Sequence, residues 1–478
     1  MKWPLFLFLA LTVAGAVAAR PNVLFIVCDD LNTHVSTSGY AGIQTPNFDR
    51  LAERGMTFDR AYCQYPVCGP SRASFLHGLY PEVTGVLSNT LDIRETRPGS
   101  ISMPQAFKEQ GYWTAATGKI FHNAKMDQGA VTWDEVERFR NDELPIERTA
   151  REAFETEHGP ITSRENRQSW RAHLQSIASQ TRGQQTPGYG PSGLTDDQHA
   201  DGKNALQATA WLDNQAYGEK PFFMAVGIHK PHVPFLAPQS YFDLYPRDEL
   251  HYMKTPIDFW DQAPRTAMVK RYEGFGFELG VENDQLRREY MQAYHACISF
   301  IDAQIGRIFD SLKRNDLWDN TIVVLTSDHG YQLGEHFMWG KVTLFETCAR
   351  VPMVIYVPGV SGAGERTEAL VELVDLYPTL AELCDITAPS DLQGRSLVSN
   401  LSDPRAAGKP ATYTVVSRQD QLGKAIRTQD WRYALWPDGE ELYHLKEDPM
   451  EHVNLASDPK HQTILAEMRA KLPRFARE

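Results

Sequence analysis

Asp29-Asp30 and Asp328-His329 lie in distant parts of the chain, yet each pair closes a strand-like apolar run, Val23 to Cys28 and Thr321 to Thr326. A carboxylate at the end of a buried strand is costly unless an opposite charge meets it. Brought together, three carboxylates and an imidazole would hold a divalent cation. The hard oxygen ligands favour calcium, and the imidazole leaves magnesium, manganese or zinc less firmly excluded. Either pair alone would carry little weight, because adjacent acidic residues are usually solvated. Other reactive side chains fall in short turns: Cys68 and Arg72 in Pro66-Val67-Cys68-Gly69-Pro70-Ser71-Arg72, Lys119 and His122 after Gly118, His229, Lys230 and His232 after Gly227-Ile228, and Lys341 after Trp339-Gly340. Taken singly, each has a plainer reading. A cysteine beside a Pro-Ser turn is ordinarily buried or disulfide-bonded, lysine and arginine are ordinarily solvated, and histidines in loops cap turns.

The patterning says which elements must position these residues. Pro21 to Cys28 is a continuous apolar run, as in a strand buried on both faces of a parallel α/β sheet, and Pro221 to Val226 and Thr321 to Thr326 are similar. Before the last of these, Ala293, Cys297, Phe300, Ile301, Ile305, Ile308, Phe309 and Leu312 recur mostly three and four apart, a helical spacing. Helices alternating with buried strands predict a doubly wound sheet, which gathers functional groups at the carboxyl ends of its strands. From about Met126 to Asp197 the pattern fails. This polar stretch, with only short helical segments, reads either as an excursion over the active-site face or as a solvated insertion. Asp375 can cap a short helix running to Cys384, and Ala388-Pro389-Ser390 is a plausible boundary. Beyond it Tyr413 to Ser417, Lys424 to Thr428, Trp431 to Trp436 and Glu441 to His444 read as strands, and Pro459 to Leu472 as an amphipathic helix. That predicts a small antiparallel sheet with a helix packed on it.

At 478 residues and 42% apolar content, the chain can bury a sizeable core. Met1 to Ala19 reads as a secretory leader, with Lys2, the apolar run Leu5 to Val13, and small residues at Ala16-Val17-Ala18-Ala19. The apolar run is short of the about 20 residues that a spanning helix needs. The expectation is therefore cleavage, no membrane anchor, and delivery to a periplasm, cell surface or lysosome-like compartment. Cys28, Cys63, Cys68, Cys297, Cys348 and Cys384 show no regular spacing, which allows one or two bridges at most. The 48 basic against 61 acidic side chains give a net charge of −13. This excludes a nucleic-acid partner and favours a local basic pocket that accepts one anionic end.

The Cys68 segment, continued as Ala73-Ser74-Phe75-Leu76-His77-Gly78, resembles the signature by which type I sulfatases mark a cysteine for oxidation to formylglycine, with His77 where the family usually has threonine. Gly111 to His122 resembles the second signature of that family. Gly227 to His232, the Asp328-His329 pair and Ala425-Ile426-Arg427-Thr428 are similar to its iduronate-2-sulfatase branch. The resemblance implies an alkaline-phosphatase-like α/β domain with a mixed, mostly parallel sheet between helices over residues 20–388, and a smaller C-terminal domain over 389–478. It implies a metal site of Asp29, Asp30, Cys68, Asp328 and His329, and a catalytic set of Cys68, Arg72, Lys119, His122, His229 and Lys341. A hydrated aldehyde has two hydroxyls on one carbon. One attacks sulfur, and the other later loses its proton and expels sulfate as the aldehyde re-forms, a release that plain serine lacks. Arg72, on a helix beginning near Ser71, would hold the diol, and Lys119 and Lys341 would bind sulfate oxygens. His122 would hold or deprotonate the diol, and His229, with Lys341, would protonate the leaving alcohol. Lys230 and His232 become candidates for reading a substrate carboxylate, and Tyr331 with the 126–197 excursion for choosing the sugar ring. The implied activity is hydrolysis of a sulfate ester on a sugar, a 2-O-sulfated uronate at the end of a sulfated oligosaccharide. It would follow modification by a formylglycine-generating or anaerobic sulfatase-maturating enzyme. Two rivals stay open: phosphonate or phosphodiester hydrolysis on the same fold, and a silent sulfoglycan-binding protein in which Cys68 remains a thiol.

Overall fold

The computed structural model describes residues 20–126, 129–181, 188–269, 275–278, 283–360, 362–419, 421–473 and 475. The expected leader, Met1 to Ala19, lies outside the described residues. One large sheet contains β1 (Asn22–Asp29), β2 (Met56–Tyr62), β3 (Trp113–Gly118), β4 (Glu135–Glu137), β5 (Phe222–Pro231), β6 (Thr321–Ser327), β7 (Arg350–Val351), β8 (Met353–Tyr356) and β9 (Arg366–Glu372). Its nine strands lie in the order β7-β2-β8-β6-β1-β5-β3-β4, with β9 on β2. From β4 through β3, β5 and β1 to β6 every pairing is parallel. The short β7 and β8 run against β2, and β8 against β6. The helices named below are α1 (Cys68–His77), α2 (Met103–Glu109), α3 (Pro145–His158), α4 (Arg164–Thr181), α5 (Ala200–Asp213), α6 (Asp284–Arg314), α7 (Leu376–Leu383) and α8 (Gln462–Ala470).

Strand β1 shows why the apolar runs had no alternation: both of its faces are covered. Leu24, Ile26 and Cys28 enter a core closed by α5 and α6, whereas Val23, Phe25 and Val27 enter one closed by α1, α2 and α7. Along α6 the eight apolar residues picked out by spacing are all fully buried, each contributing about 1.5–3 kcal/mol where the side chain is large. Asn283 caps that helix by accepting from Leu286 N–H. Asp375 stands at the N-cap position of α7, but its carboxylate accepts instead from the N–H groups of Glu372 and Arg395.

The excursion is more regular than its composition suggested. It contains α3 and α4, of 14 and 18 residues, where only short segments were expected. Apolar contact between Phe154 and Trp170 holds the pair together. The six cysteines are free and buried.

The second sheet is antiparallel and runs in chain order through β10 (Thr412–Arg418), β11 (Gln421–Arg427), β12 (Trp431–Trp436) and β13 (Gly439–His444). Leu465 and Met468 of α8 pack into its core with Tyr433, Trp436 and Leu442. The sheet is tied to the large domain where Glu372, ending β9, accepts from Tyr413 N–H at 2.7 Å. Arg418 ends β10 and donates to the carbonyl of Val342 at 2.7 Å, while Val342 N–H donates to Pro66 O at 3.1 Å. Val342 has a φ of +76°, unfavourable for a β-branched residue and held by such neighbours. The C-terminal sheet thereby fixes the loop that carries Lys341.

Candidate active site

The carboxyl ends of β1, β3, β5 and β6 converge with the first turn of α1. Asp29 is the last residue of β1, and Asp30, at φ +67°, turns the chain away. Asp30 N–H donates to Asp328 Oδ1 at 3.1 Å and Leu31 N–H to Ser327 Oγ at 3.0 Å, locking the two acidic pairs together. Helix α1 begins at Cys68, three residues before the expected start near Ser71. Arg72 is thus one turn beyond Cys68 on the same helix, pointing back into the acid cluster. Its Nε donates to Asp328 Oδ2 at 2.9 Å, its Nη2 to Asp29 Oδ1 at 3.4 Å, and its Nη1 to Ile120 O at 3.0 Å and to Lys119 O. Ser71 Oγ donates to Asp328 O at 2.5 Å.

Cys68 is 1% exposed, with Sγ 3.0 Å from Lys341 Nζ and 3.4 Å from His329 Nε2. Lys341 Nζ also donates to Asp30 Oδ1 at 2.5 Å, and Lys119 Nζ to Asp29 Oδ2 at 2.6 Å. Lys119 reaches this place because Gly118 and Gly227 let β3 and β5 meet closely: a Cβ on Gly118 would lie 2.0 Å from Gly227 O, and one on Gly227 would lie 2.2 Å from Lys119 O. Burial would raise the carboxyls of Asp29 and Asp30, but Lys119 beside the first and Lys341 beside the second hold both below the usual carboxylate range. Burial opposes the charge on Lys341, yet Asp30 and its neighbours keep that lysine firmly protonated.

One ligand atom from each of Asp29, Cys68, Asp328 and His329 falls within 4.8 Å of the others, and Asp29, Asp30, Cys68 and His232 form a second such set. His329 Nδ1 is 2.9 Å from Gly330 O, to which it donates, so its Nε2 faces the cluster. Asp30 Oδ2 is buried and has no hydrogen-bond partner. An orphaned carboxylate oxygen beside three other anionic or imidazole donors fits a hard divalent cation.

A cleft of about 690 Å³ meets this cluster at Asp29 and is lined by Lys119, His122, Arg138, Arg140, Asp201, His229 and His232, among others. Burial, with Lys119 and Arg72 nearby, pushes the His122 imidazole down to about 4. His229 Nδ1 lies 3.2 Å from Asp201 Oδ1, which leaves Nε2 for the cleft. Of the expected substrate readers, Lys230 and His232 line the cleft and Tyr331 does not. Lys230 is buried, its ammonium donating to the carbonyls of His232 (3.1 Å) and Pro234, so it braces its own loop. Tyr331 is 3% exposed and packs on Tyr294 and Phe235 beneath the cluster, out of reach of a sugar. His232 does face the site, with Nε2 3.9 Å from Asp30 Oδ2. Asp201, Arg138 and Arg140 were not anticipated. Arg138 and Arg140 come from the early part of the excursion, just after β4, and Asp201 from the start of α5, where spacing carries no signal for a residue that acts only through a distant strand.

A mixed sheet whose parallel strand ends hold an acid cluster against a helix N-terminus, joined to a small antiparallel sheet, defines an alkaline-phosphatase-like hydrolase. The Sulfatase family profile matches residues 21–386, and the profile described as N-sulphoglucosamine sulphohydrolase, C-terminal, matches 334–478. The chain belongs to the sulfatase family and is a sulfuric ester hydrolase. It is 33% identical over 471 residues to a sulfatase of Formosa agariphila, covering 95% of this chain and 87% of that one. To iduronate 2-sulfatase of Mus musculus it is 27% identical, covering 94% and 93%. Its fold resembles the phosphonate monoester hydrolase of Agrobacterium radiobacter, with a TM-score of 0.74 at 23% identity over 95% and 94% of the two chains. Among the described residues, no helix is long and apolar enough to cross a membrane.

Proposed function

We propose that this sulfatase removes the sulfate of a 2-O-sulfated uronate at the end of a sulfated oligosaccharide, after a maturation enzyme has converted Cys68 to formylglycine and a leader has directed the chain out of the cytoplasm. The observation that carries the reading is a cleft rich in cations, in a protein of net charge −13, that ends on the buried acid cluster. In that cleft Asp29 is ion-paired with Lys119 and Asp201 is bonded to His229, so neither carboxylate is left to repel an anion. The likeness to iduronate 2-sulfatase supports the choice of sugar.

Calcium held by Asp29, Asp30, Asp328, His329 and residue 68 would supply positive charge to the sulfate oxygens, and formylglycine would supply the paired hydroxyls. The chain's own residues do the rest. Lys119 and Lys341 neutralise sulfate oxygens, and Arg72 orients residue 68. His122, neutral, accepts a proton from the attacking group, while His229 delivers one to the leaving oxygen.

The deciding experiment measures free sulfate released from sulfated disaccharides, spanning 2-sulfated uronates and 6-sulfated hexosamines, by protein co-produced with a formylglycine-generating enzyme. Release from the uronates alone supports the reading. Preferential turnover of a phenyl phosphonate would replace it with phosphorus chemistry, and an unmodified Cys68 peptide with no turnover would leave a binding protein.

Two further results are expected. Chelation should lower the stability of the folded protein, with calcium at about a hundred times its Kd restoring about 2.7 kcal/mol. Titration calorimetry showing no cation binding would sink the metal assignment. Replacing both Arg138 and Arg140 by glutamine should raise KM for a 2-sulfated uronate about tenfold, the loss of one charged hydrogen bond, with an aryl sulfate that carries no carboxylate changed less than about twofold. An equal rise for both esters would show that the arginines serve only the sulfate.

A further inference from the structure

Between β1 and β5 the parallel register breaks at its functional end: Cys28 faces Ile228, but Asp29 faces Pro231. His229 and Lys230 therefore bulge from the sheet, and such a bulge re-aims side chains while freeing main-chain N–H groups. Asp201, in the first turn of the 14-residue α5, takes up what the bulge releases. Its Oδ1 accepts from His229 N–H at 2.8 Å, its Oδ2 accepts from Lys230 N–H at 2.9 Å, and His229 Nδ1 lies 3.2 Å from Oδ1. Asn204 Nδ2, one turn along α5, stands 3.4 Å from the same oxygen. The carboxylate is 2% exposed, whereas the His229 side chain is 40% exposed and lines the cleft. A buried carboxylate that accepts three N–H groups from two adjacent residues fixes both the ring and its tautomer. Nδ1–H donates to Asp201 and Nε2 is presented to the substrate; in the imidazolium form Nε2 carries the second proton, and giving it up leaves the neutral Nδ1–H tautomer still bonded to Asp201.

We infer that Asp201 is a positioning residue for His229, holding the imidazole so that Nε2 can hand a proton to the departing sugar oxygen. This rests on the sulfatase reading given above. As the S–O ester bond breaks, its electron pair leaves with the sugar oxygen. The proton on His229 Nε2 moves to that oxygen, and the negative charge of Asp201 lies beside the ring that carried it. A sugar alkoxide needs that proton, while a nitrophenolate leaves with little help.

The test compares wild type, Asp201→Asn, His229→Ala and the double variant on a 2-sulfated uronate and on 4-nitrophenyl sulfate. For Asp201→Asn, kcat on the sugar ester should fall about 100-fold with KM within about twofold, and the aryl ester should lose less than about fivefold. In the His229→Ala background the same change should cost less than about twofold, since the two residues act as one unit. Asp201→Glu, which keeps the charge, should recover about tenfold over Asp201→Asn and guards against a variant that merely folds poorly. Equal losses on both esters, or the same cost with and without His229, would overturn the inference and leave Asp201 a brace for the bulge. A wild type inert on both esters would bring down the sulfatase reading and this inference together, an outcome told apart by the absence of any turnover to compare.

Discussion

Cys68→Ala should abolish sulfate release, lowering kcat by more than about 10⁴-fold, as loss of a nucleophile does in enzymes that work by covalent transfer, while the fold survives. The side chain is small, and Lys341 and His329, its neighbours at 3.0 and 3.4 Å, keep their other partners Asp30 and Gly330. Circular dichroism and a melting curve check the fold, and sulfate release checks the chemistry. Cys68→Ser is the more telling variant. It keeps one hydroxyl at the head of α1 and so retains a group that can attack sulfur, but it has no second hydroxyl to expel the product. A stoichiometric burst followed by arrest is the expected result, with sulfate found on the peptide that carries residue 68. Steady turnover by the serine variant would mean that water attacks sulfur directly, and the formylglycine assignment would fall.

The second large effect is on stability. Arg72 is 1% exposed and divides its donors among Asp328, Asp29 and two backbone carbonyls, within a cluster that brings three carboxylates together. Arg72→Met fills much the same volume but leaves buried carboxylates uncompensated, a change that costs about 3–5 kcal/mol. Urea denaturation in the presence of a chelator should show that loss. With calcium the deficit should shrink, because a bound cation replaces part of the missing charge. If the variant were as stable as wild type under chelation, the carboxylates would have to be protonated, and the reading of this cluster as charged would fail.

How far the sequence reached depended on whether a residue's role is local. The acidic pairs were legible because a buried strand that ends in a charge is unusual in itself, and the doubly wound sheet followed from runs that match both faces of β1. Where the side chains of Lys230 and Tyr331 turn was not legible, for one reason. Each sits next to a site residue in the chain, yet alternation and a bulge send neighbouring side chains to different places, so Lys230 turns to the carbonyls of its own loop and Tyr331 into the aromatic layer under the cluster. Asp201 was invisible because nothing about an acidic residue near a helix start announces two N–H groups waiting on another strand. The helices α3 and α4 were under-read because their faces are polar and pack chiefly through Phe154 and Trp170.

The burial of Cys68 sets an order of events in the life of the chain. With 1% of its surface exposed at the head of α1, the thiol cannot be reached by another protein once the sheet and helices have closed around it. On the proposed chemistry its oxidation has to be finished while the segment from Pro66 to Gly78 is still extended, so maturation and folding run as a race from the moment of synthesis. On that chemistry a chain that folds first would be a stable protein with an inert centre, and supplying the maturation enzyme afterwards would change nothing unless the chain were unfolded again. The same compactness that holds Arg72, Lys119 and Lys341 around residue 68 makes activity a record of how the molecule was made.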